Sequence, residues 1–586
     1  MRLINIKAFL GREELIRKRE RVDHRTKVLE FSDDEATEYA ILSHRWTTQE
    51  VDYAEIVKLA KMAMEERDEI RQRDGYRKIL QSCEQAQKDG YKWLWVDTCC
   101  IDKRSSAELS EAINSMYWWY ENAKICYAYL HDVPGPSFPT ARDDESYRNF
   151  NGWPEWFSRG WTLQELIAPS NVQFLNKAWQ NIGDKKTLAP TLRNITGIPE
   201  HILIHGLQGD RPCVAQIMSW AAWRTTTRVE DRAYSLMGLL DVNMPMLYGE
   251  GKKAFHRLQL EIIRASNDQS IFAWDRWMSE PPGSILADDP SFFQSCGEME
   301  LMGHDEFIQF LKKGVPEEEL HSLEDRLGTF PVTNRGIQIW LLLYPCPSSR
   351  TLFYACLPCR RGPRGLPETI PLALWESNYY RCKVPGLGLF TPSPQFHQVY
   401  LRYQDPPRRN ITFEIDDSAL TENGFTCCDT YPNEFTGNTL TLTSTDSLCV
   451  KVYADSQADH RFVVGLGQAF GKDWIDVVSD EPIFPTFPWV DHTTEHNYNK
   501  MLVRSSDHAQ HMNETRSGAE PNGQICIMQT YLPQTTTLLQ VSSVMWESSR
   551  VRAVKLKVFH APVFGDVSGE WTVFDLDMGS FFYASH

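Results

Sequence analysis

Glu165 is the acid whose surroundings in the sequence most suggest chemistry. It stands four residues after Trp161 in WPEWFSRGWTLQELIAP, residues 153–169, a stretch that also holds Trp153, Trp156 and Phe157. On a helix, an i, i+4 spacing sets an indole and a carboxylate side by side on one face. An acid held against aromatic rings has its charged form desolvated, which raises its pKa and suits it to catalysis or to gripping a cationic ring. The competing reading puts Trp161 in the core and makes Glu165 a helix-surface acid. The stretch by itself is compatible with both.

Two other groupings of polar residues follow short apolar runs. YAILS, residues 39–43, has the length and composition of a buried strand, and it ends in Ser43, His44, Arg45 and Trp46. WLWV, residues 93–96, is a second such run and leads into Asp97, Thr98, Cys99 and Cys100. Polar groups at the carboxyl ends of buried strands are where open α/β sheets hold ligands. The opposed reading has Trp46, Trp93, Trp95 and Trp161 in the core, with Arg45 and Asp97 as an ion pair. Cys99 or Cys100 with His44 offers a rival, a Cys/His nucleophile, although adjacent cysteines at a strand end are more often packing.

Other motifs carry less. Cys356 and Cys359 form one C-x-x-C with Cys346 and Cys382 in the wider neighbourhood, but without a second close pair or zinc-like histidine spacing, so no metal is expected. GLGQAFGK, residues 465–472, fails as a nucleotide loop: Phe470 takes the place of the third glycine, and Asp473 stands where Ser or Thr would meet magnesium. It reads as a hairpin or turn. His256 and Arg257 lie on an amphipathic helix and read as facing solvent or partners.

The elements that must position these groups alternate. After the first strand, residues 51–87 read as two helices, 93–96 as a strand, 109–122 as a helix, 125–130 as a strand, 131–151 as a loop, then a helix in the Glu165 stretch and a short strand at 172–175. Strand and helix in alternation specify a parallel sheet with helices on both faces. Residues 183–278 read as a helical extension. There Thr227 and Glu230 form a T-x-x-E capping box that predicts a helix from Arg228 to about Leu240. From 279 to 586 the texture is β-rich, with runs such as 336–343 and 462–466, in a sandwich- or barrel-like arrangement and with a mobile loop near 504–523. Residues 1–35 read as an exposed lead-in.

Composition bounds the function. The 586 residues carry 61 basic against 78 acidic side chains, a net charge of −17, which disfavours binding to phosphate backbones. The N-terminal stretch has no apolar core of secretory length, and no run approaches membrane-spanning length. Fourteen cysteines spread along the chain are ordinary usage for a reduced compartment. The expected location is therefore cytoplasmic, without nucleic acid or membrane span.

Four passages taken together, YAILSHRW at 39–46, WLWVDTCCIDK at 93–103, SRGWTLQELIAP at 158–169 and TTRVEDRAYSLMGLLDVNMPMLYGEG at 226–251, closely resemble the fungal heterokaryon-incompatibility (HET) domain family and its common extension. The resemblance implies a HET domain over 36–182, in a cytoplasmic protein of fungal non-self recognition that triggers cell death when activated. A second, more distant resemblance is to Toll/interleukin-1 receptor (TIR) domains. YAILSHRW is similar to their first strand, WLWVD to their second strand with its terminal Asp, and SRGWTLQE to their serine, tryptophan and glutamate helix. That resemblance implies a TIR/flavodoxin-like α/β parallel sheet. In the TIR domains that act as enzymes, the matching glutamate cleaves the nicotinamide–ribose bond of NAD, which makes Glu165 the implied catalytic residue. Ser43, His44, Arg45, Trp46, Asp97 and Trp161 would then bind substrate, with Arg45 on the diphosphate, Asp97 on ribose hydroxyls and the aromatics on the nicotinamide cation. NAD would be substrate, and no cofactor is expected. The long region between the first two strands and the insertion at 131–151 depart from the TIR pattern. The alternative is a non-catalytic signalling or scaffold module that acts by self-assembly or partner binding. Self-association through the HET domain is the expected partnership.

Overall fold

Every residue of two apolar runs, Ala40–His44 and Ile125–Tyr129, is buried, as required of strands covered on both faces. They are the centre of a seven-stranded sheet in a computed structural model that describes residues 1–22, 26–32, 37–209, 211–275, 283–312, 324–347, 349–382, 394–404, 410–431, 437–442, 448–455, 460–470, 472–479, 524–531, 537–545 and 551–560, with Tyr498, Met501 and Asp507. The strands are β1 (Arg2–Asn5), β2 (Leu29–Phe31), β3 (Ala40–His44), β4 (Trp93–Trp95), β5 (Ile125–Tyr129), β6 (Val172–Leu175) and β7 (Asn181–Asp184), in the order β2-β1-β4-β3-β5-β6-β7. The inner strands β4, β3, β5 and β6 are parallel, and β1, β2 and β7 extend the edges antiparallel. The first parallel strand therefore lies between the second and the third. Strand order reverses between β3 and β5, and the crevice outside their carboxyl ends is the ligand position of such sheets.

The connections are α1 (Ile6–Arg17), α2 (Tyr53–Lys58), α3 (Met64–Gln72), α4 (Asp74–Lys88), α5 (Asp97–Cys100), α6 (Ser106–Asn122) and α7 (Thr162–Ile167). Three helices, rather than the expected two, join β3 to β4. The extension adds α8 (Ala189–Thr196), α9 (Glu200–His205), α10 (Val214–Ala221), α11 (Asp231–Tyr234) and α12 (Lys253–Ala265). The helix expected from Arg228 to about Leu240 is shortened to α11. Its late start follows from the Glu230 carboxylate, needed for the capping box, which instead accepts from the backbone N–H groups of Gly249 and Gly251, at 2.8 and 3.0 Å.

The reading of residues 1–35 as an exposed lead-in is corrected. β1 pairs with β4, and α1, capped by the Asn5 side chain on Ala8 N–H (3.1 Å), buries Ile6, Phe9 and Ile16. Its charges misled because they are paired inside the structure: Arg12 Nη1 donates to Ile56 O at 2.8 Å, and Glu13 accepts from Tyr76 Oη at 2.8 Å and pairs with Arg71.

The chain divides into two units, Met1–Pro406 and Pro407–His586, so the β-rich stretch is shared between them. In the first unit, β8 (Met299–Leu301), β9 (Ile337–Pro345), β10 (Leu352–Arg361), β11 (Pro367–Trp375), β12 (Asn378–Arg381) and β13 (Gln395–Leu401) follow the order β11-β12-β13-β9-β10-β8. Pairing of β11 with β10 closes five of them into a small barrel. It joins the residues before it through Ile285 N–H to Arg402 O (2.8 Å), Arg381 Nη2 to Trp274 O (2.6 Å) and Arg361 to Asp275 (2.6 Å). The second unit has a five-stranded and a four-stranded sheet. GLGQAFGK belongs to a hairpin there: residues 465–469 end the strand Arg461–Ala469, Lys472 opens the strand Lys472–Ser479, and Gly467 lies against the Trp474 ring where a Cβ would not fit. The loop expected near 504–523 lies, but for Asp507, outside the described residues. Among the described residues no helix is long and apolar enough to cross a membrane.

Phe9 is fully buried, with its ring 5.8 Å from that of Tyr76. Phe9→Ala should cost about 3–5 kcal/mol, read as a lowered denaturant midpoint; an unchanged midpoint would return α1 to the surface.

Candidate functional site

α7 is buried along its whole length, and Glu165 sits in its first turn with 7% exposure. Ser43, one residue from the end of β3, donates its hydroxyl to Glu165 Oε2. Trp156 Nε1 donates to Ser43 Oγ at 2.8 Å, and the Tyr120 hydroxyl, which also bonds to Glu165, lies 3.2 Å from Leu42 O. Trp156 thus donates to Ser43, Ser43 to Glu165, and Tyr120 to Leu42 O. Burial, reinforced by the negative charge of Asp97, pushes Glu165 up to about 8, against the pull of Ser43, Tyr120 and the Arg224 guanidinium. Arg224 is itself buried, which lowers it to about 9 while the Glu165 charge opposes the fall.

At the mouth of the crevice the groups form a second chain. His44 Nε2 lies 3.1 Å from Asp97 Oδ1, and Nδ1 lies 2.9 Å from Lys78 Nζ. An ammonium can only donate, so Nδ1 accepts and Nε2–H is directed to Asp97. Trp46 Nε1 donates to Asp97 Oδ2 at 2.7 Å, and Lys103 Nζ lies 3.6 Å from the centroid of the Trp46 ring. Burial works against the Asp97 charge, but the His44 hydrogen bond, Lys103 and Trp46 outweigh it and leave its pKa lowered. Lys78, lowered by burial, pairs with Glu50 and donates to Arg45 O at 3.0 Å.

Arg45 does not pair with Asp97. It pairs with Glu155, whose Oε2 is also 3.6 Å from His131 Nε2, because His44 already occupies Asp97. Burial raises the pKa of Glu155, against the pull of Arg45. Trp46 is 46% exposed, whereas Trp95 is core. Trp161 precedes α7 and bonds to Asp231 rather than serving Glu165; the indole linked to the acid is Trp156, through Ser43. Ser43 and Glu165 thus meet directly, and His44, Trp46 and Asp97 meet one another.

Trp156, Tyr120, Lys78, Glu155 and Arg224 carry functional contacts that sequence reasoning did not assign. Arg224 had a usable signal, a lone cation just after an apolar helix, whereas Lys78, next to Arg77 on an amphipathic helix, had none. Cys99 and Cys100 are buried, and the Cys99 thiol is pushed well above its ordinary range by Cys100 and by burial, which withholds the thiolate a nucleophile needs. Cys356 and Cys359 lie buried in β10, with Cys356 pushed up to about 12 by burial. His256 and Arg257, expected to face solvent or partners, are partly buried and paired within the chain, His256 with Asp288 at 2.9 Å and Arg257 with Glu250 at 2.5 Å.

These features define an α/β domain on a parallel sheet, with polar side chains gathered where the strand order reverses and a buried acid among them. Residues 39–146 match the family model described as heterokaryon incompatibility protein (HET), so this part of the chain carries a HET domain. Residues 253–284 match a domain of unknown function, DUF8212. The vegetative incompatibility protein HET-E-1 of Podospora anserina is 44% identical over 227 residues, which cover 38% of this chain and 16% of that relative. The chain therefore spans about a sixth of the length of the curated relative it matches. Two structures of Xerocomus chrysenteron lectin XCL, one mutated and one wild type, align with 26% of the chain and with 99% and 100% of their own length, at 14% and 16% identity and a TM-score of 0.18, a value too low to bear on fold or function.

An acid raised in the folded state binds its proton there over a range in which the unfolded chain has released it. Stability contributed by neutral Glu165 is therefore lost as pH rises from about 4.5 to about 8, a difference on the order of 5 kcal/mol. Glu165→Gln should flatten the dependence of the thermal midpoint on pH across that window, and an unchanged slope would show that the acid titrates normally.

Proposed function

We propose that this chain is an effector of heterokaryon incompatibility and non-self recognition whose α/β domain triggers cell death by cleaving the nicotinamide–ribose bond of NAD. The observation that carries the reading is Glu165, held by Ser43 at the carboxyl end of the strand that flanks the switch point. Its match to the TIR glutamate supplies the reaction. The C1′–N bond breaks with its electron pair leaving on nicotinamide, which departs neutral, and positive charge develops on the ribose. Water then adds at C1′, giving ADP-ribose and a proton. An ionised Glu165 stabilises the developing charge. Arg45 takes the diphosphate in exchange for Glu155, and Trp46, exposed beside Asp97, offers a face to the cationic ring.

The burial of Glu165 requires the crevice to open before substrate reaches it, and self-association of the domain is the proposed trigger. The same burial favours a second reading. An acid whose hydrogen bonds close within the chain also suits a non-catalytic module that signals by assembly.

Purified protein at rising concentration should consume NAD, with a rate that climbs with pH and levels near 8 as Glu165 ionises. Glu165→Ala should lower the rate by about 10²–10³-fold or more while circular dichroism stays native. Wild-type protein that assembles without consuming NAD would leave the module as the function; full turnover by a folded Glu165→Ala would remove the residue from the chemistry.

A further inference from the structure

The segment after α10 is laid against the helix that carries Glu165. Thr225 N–H donates to Ser158 O at 2.6 Å and Thr225 O accepts from Gly160 N–H at 2.9 Å, a parallel bridge around Arg159. A Cβ at Gly160 would stand 2.5 Å from Thr226 Cγ2, so the glycine makes room for the Thr226 side chain beside this bridge. Arg224 Nη1 donates to Arg159 O and to Thr162 Oγ1, both at 2.9 Å, and Nε donates to Trp220 O at 3.2 Å. Thr162 in turn donates to Trp156 O at 2.6 Å. Arg224 is 4% exposed, and among the described residues no carboxylate stands within ion-pair distance of it. Its contacts are carbonyl and hydroxyl oxygens, and the acid whose field it shares is Glu165.

We propose that Arg224 is a positioning residue for Glu165, holding the first turn of α7 through Thr162 and supplying the counter-charge for the carboxylate, so that the working unit includes the segment from Arg224 to Asp231. That Glu165 does chemistry rests on the function proposed above; the coupling of the two residues does not. The other groups facing Glu165 are Ser43 from β3, Asp97 after β4, Tyr120 from α6, Cys126 from β5 and Arg159. Asp97 opposes ionisation, Ser43 and Tyr120 favour it by hydrogen bonding, and the Cys126 thiol, raised well above its range by burial, stays neutral. Among the cations, Arg224 offsets the burial of Glu165 most, after the hydrogen bonds from Ser43 and Tyr120.

The test is the thermal midpoint of the full chain from pH 5 to 10 in wild type, Arg224→Gln, Arg224→Lys, Glu165→Gln and the Glu165→Gln/Arg224→Gln double variant. Wild type should lose stability with rising pH and level off near 8. Arg224→Gln, which keeps donors but no charge, should move the levelling upward by about one pH unit or more, and Arg224→Lys should leave it near the wild-type value. In the Glu165→Gln background the Glu165 step should vanish, and below pH 8, where Arg224 is still charged, Arg224→Gln should add nothing that depends on pH. An unmoved levelling in Arg224→Gln, or the same movement without Glu165, overturns the proposal. Should Arg224→Gln alone fail to fold, recovery of folding in the double variant supports the coupling, and failure of both overturns it. These readings need no NAD turnover, so a wild type that consumes none removes the catalytic reading and leaves this one standing.

Discussion

A carboxyl group taken out of water must either stay neutral or be met by donors and a cation, and Glu165 is arranged for both. Neutral, it still accepts from Ser43, which accepts in turn from Trp156. Its charged form finds Ser43, Tyr120 and Arg224. Removing one member leaves the rest buried and unsatisfied, at a cost of about 1–3 kcal/mol for a neutral group and more for a charged one. β3, α6, the stretch before α7 and the segment after α10 are therefore held in register by one side chain. That side chain stands beside the strand at which the sheet order reverses.

Much of the α/β sheet was legible in the sequence because its inner strands are short, apolar and bounded by polar residues, and β3, β4, β5 and β6 fall within a residue or two of the runs that announced them. The edge was not. β1 and α1 carry Arg2, Lys7, Arg12 and Glu13, and charge density reads as surface unless the partners are known. Those partners, Glu108 for Arg2 and Arg71 for Glu13, lie far along the chain. The change of texture near residue 279 was real, but it marks a change from helix to strand rather than the division of the chain into units, which falls at Pro406. Pairings such as Arg361 with Asp275 cross the textural boundary, and local pattern does not reveal them.

The candidate site was legible to the extent that it depends on strand ends. Ser43, His44, Trp46 and Asp97 stand where buried runs stop, and they do meet their partners there. What spacing could not convey is direction. The i, i+4 relation selected Trp161 as the companion of Glu165, yet Trp161 turns to Asp231 and Trp156 serves the acid through Ser43. Lys78, directed at the other nitrogen of His44, shows the same limit: a lysine on an amphipathic helix looks solvated until the helix is docked. With both nitrogens engaged, His44 is a brace for Asp97 rather than a free base.

The close approach of Gly160 to Thr226 makes the two segments a fitted pair. A Cβ at 160 would stand 2.5 Å from the Thr226 methyl, so a side chain at 160 has to be answered by a change at 226. The α/β domain and the extension are thus matched at this contact and not merely joined by the chain.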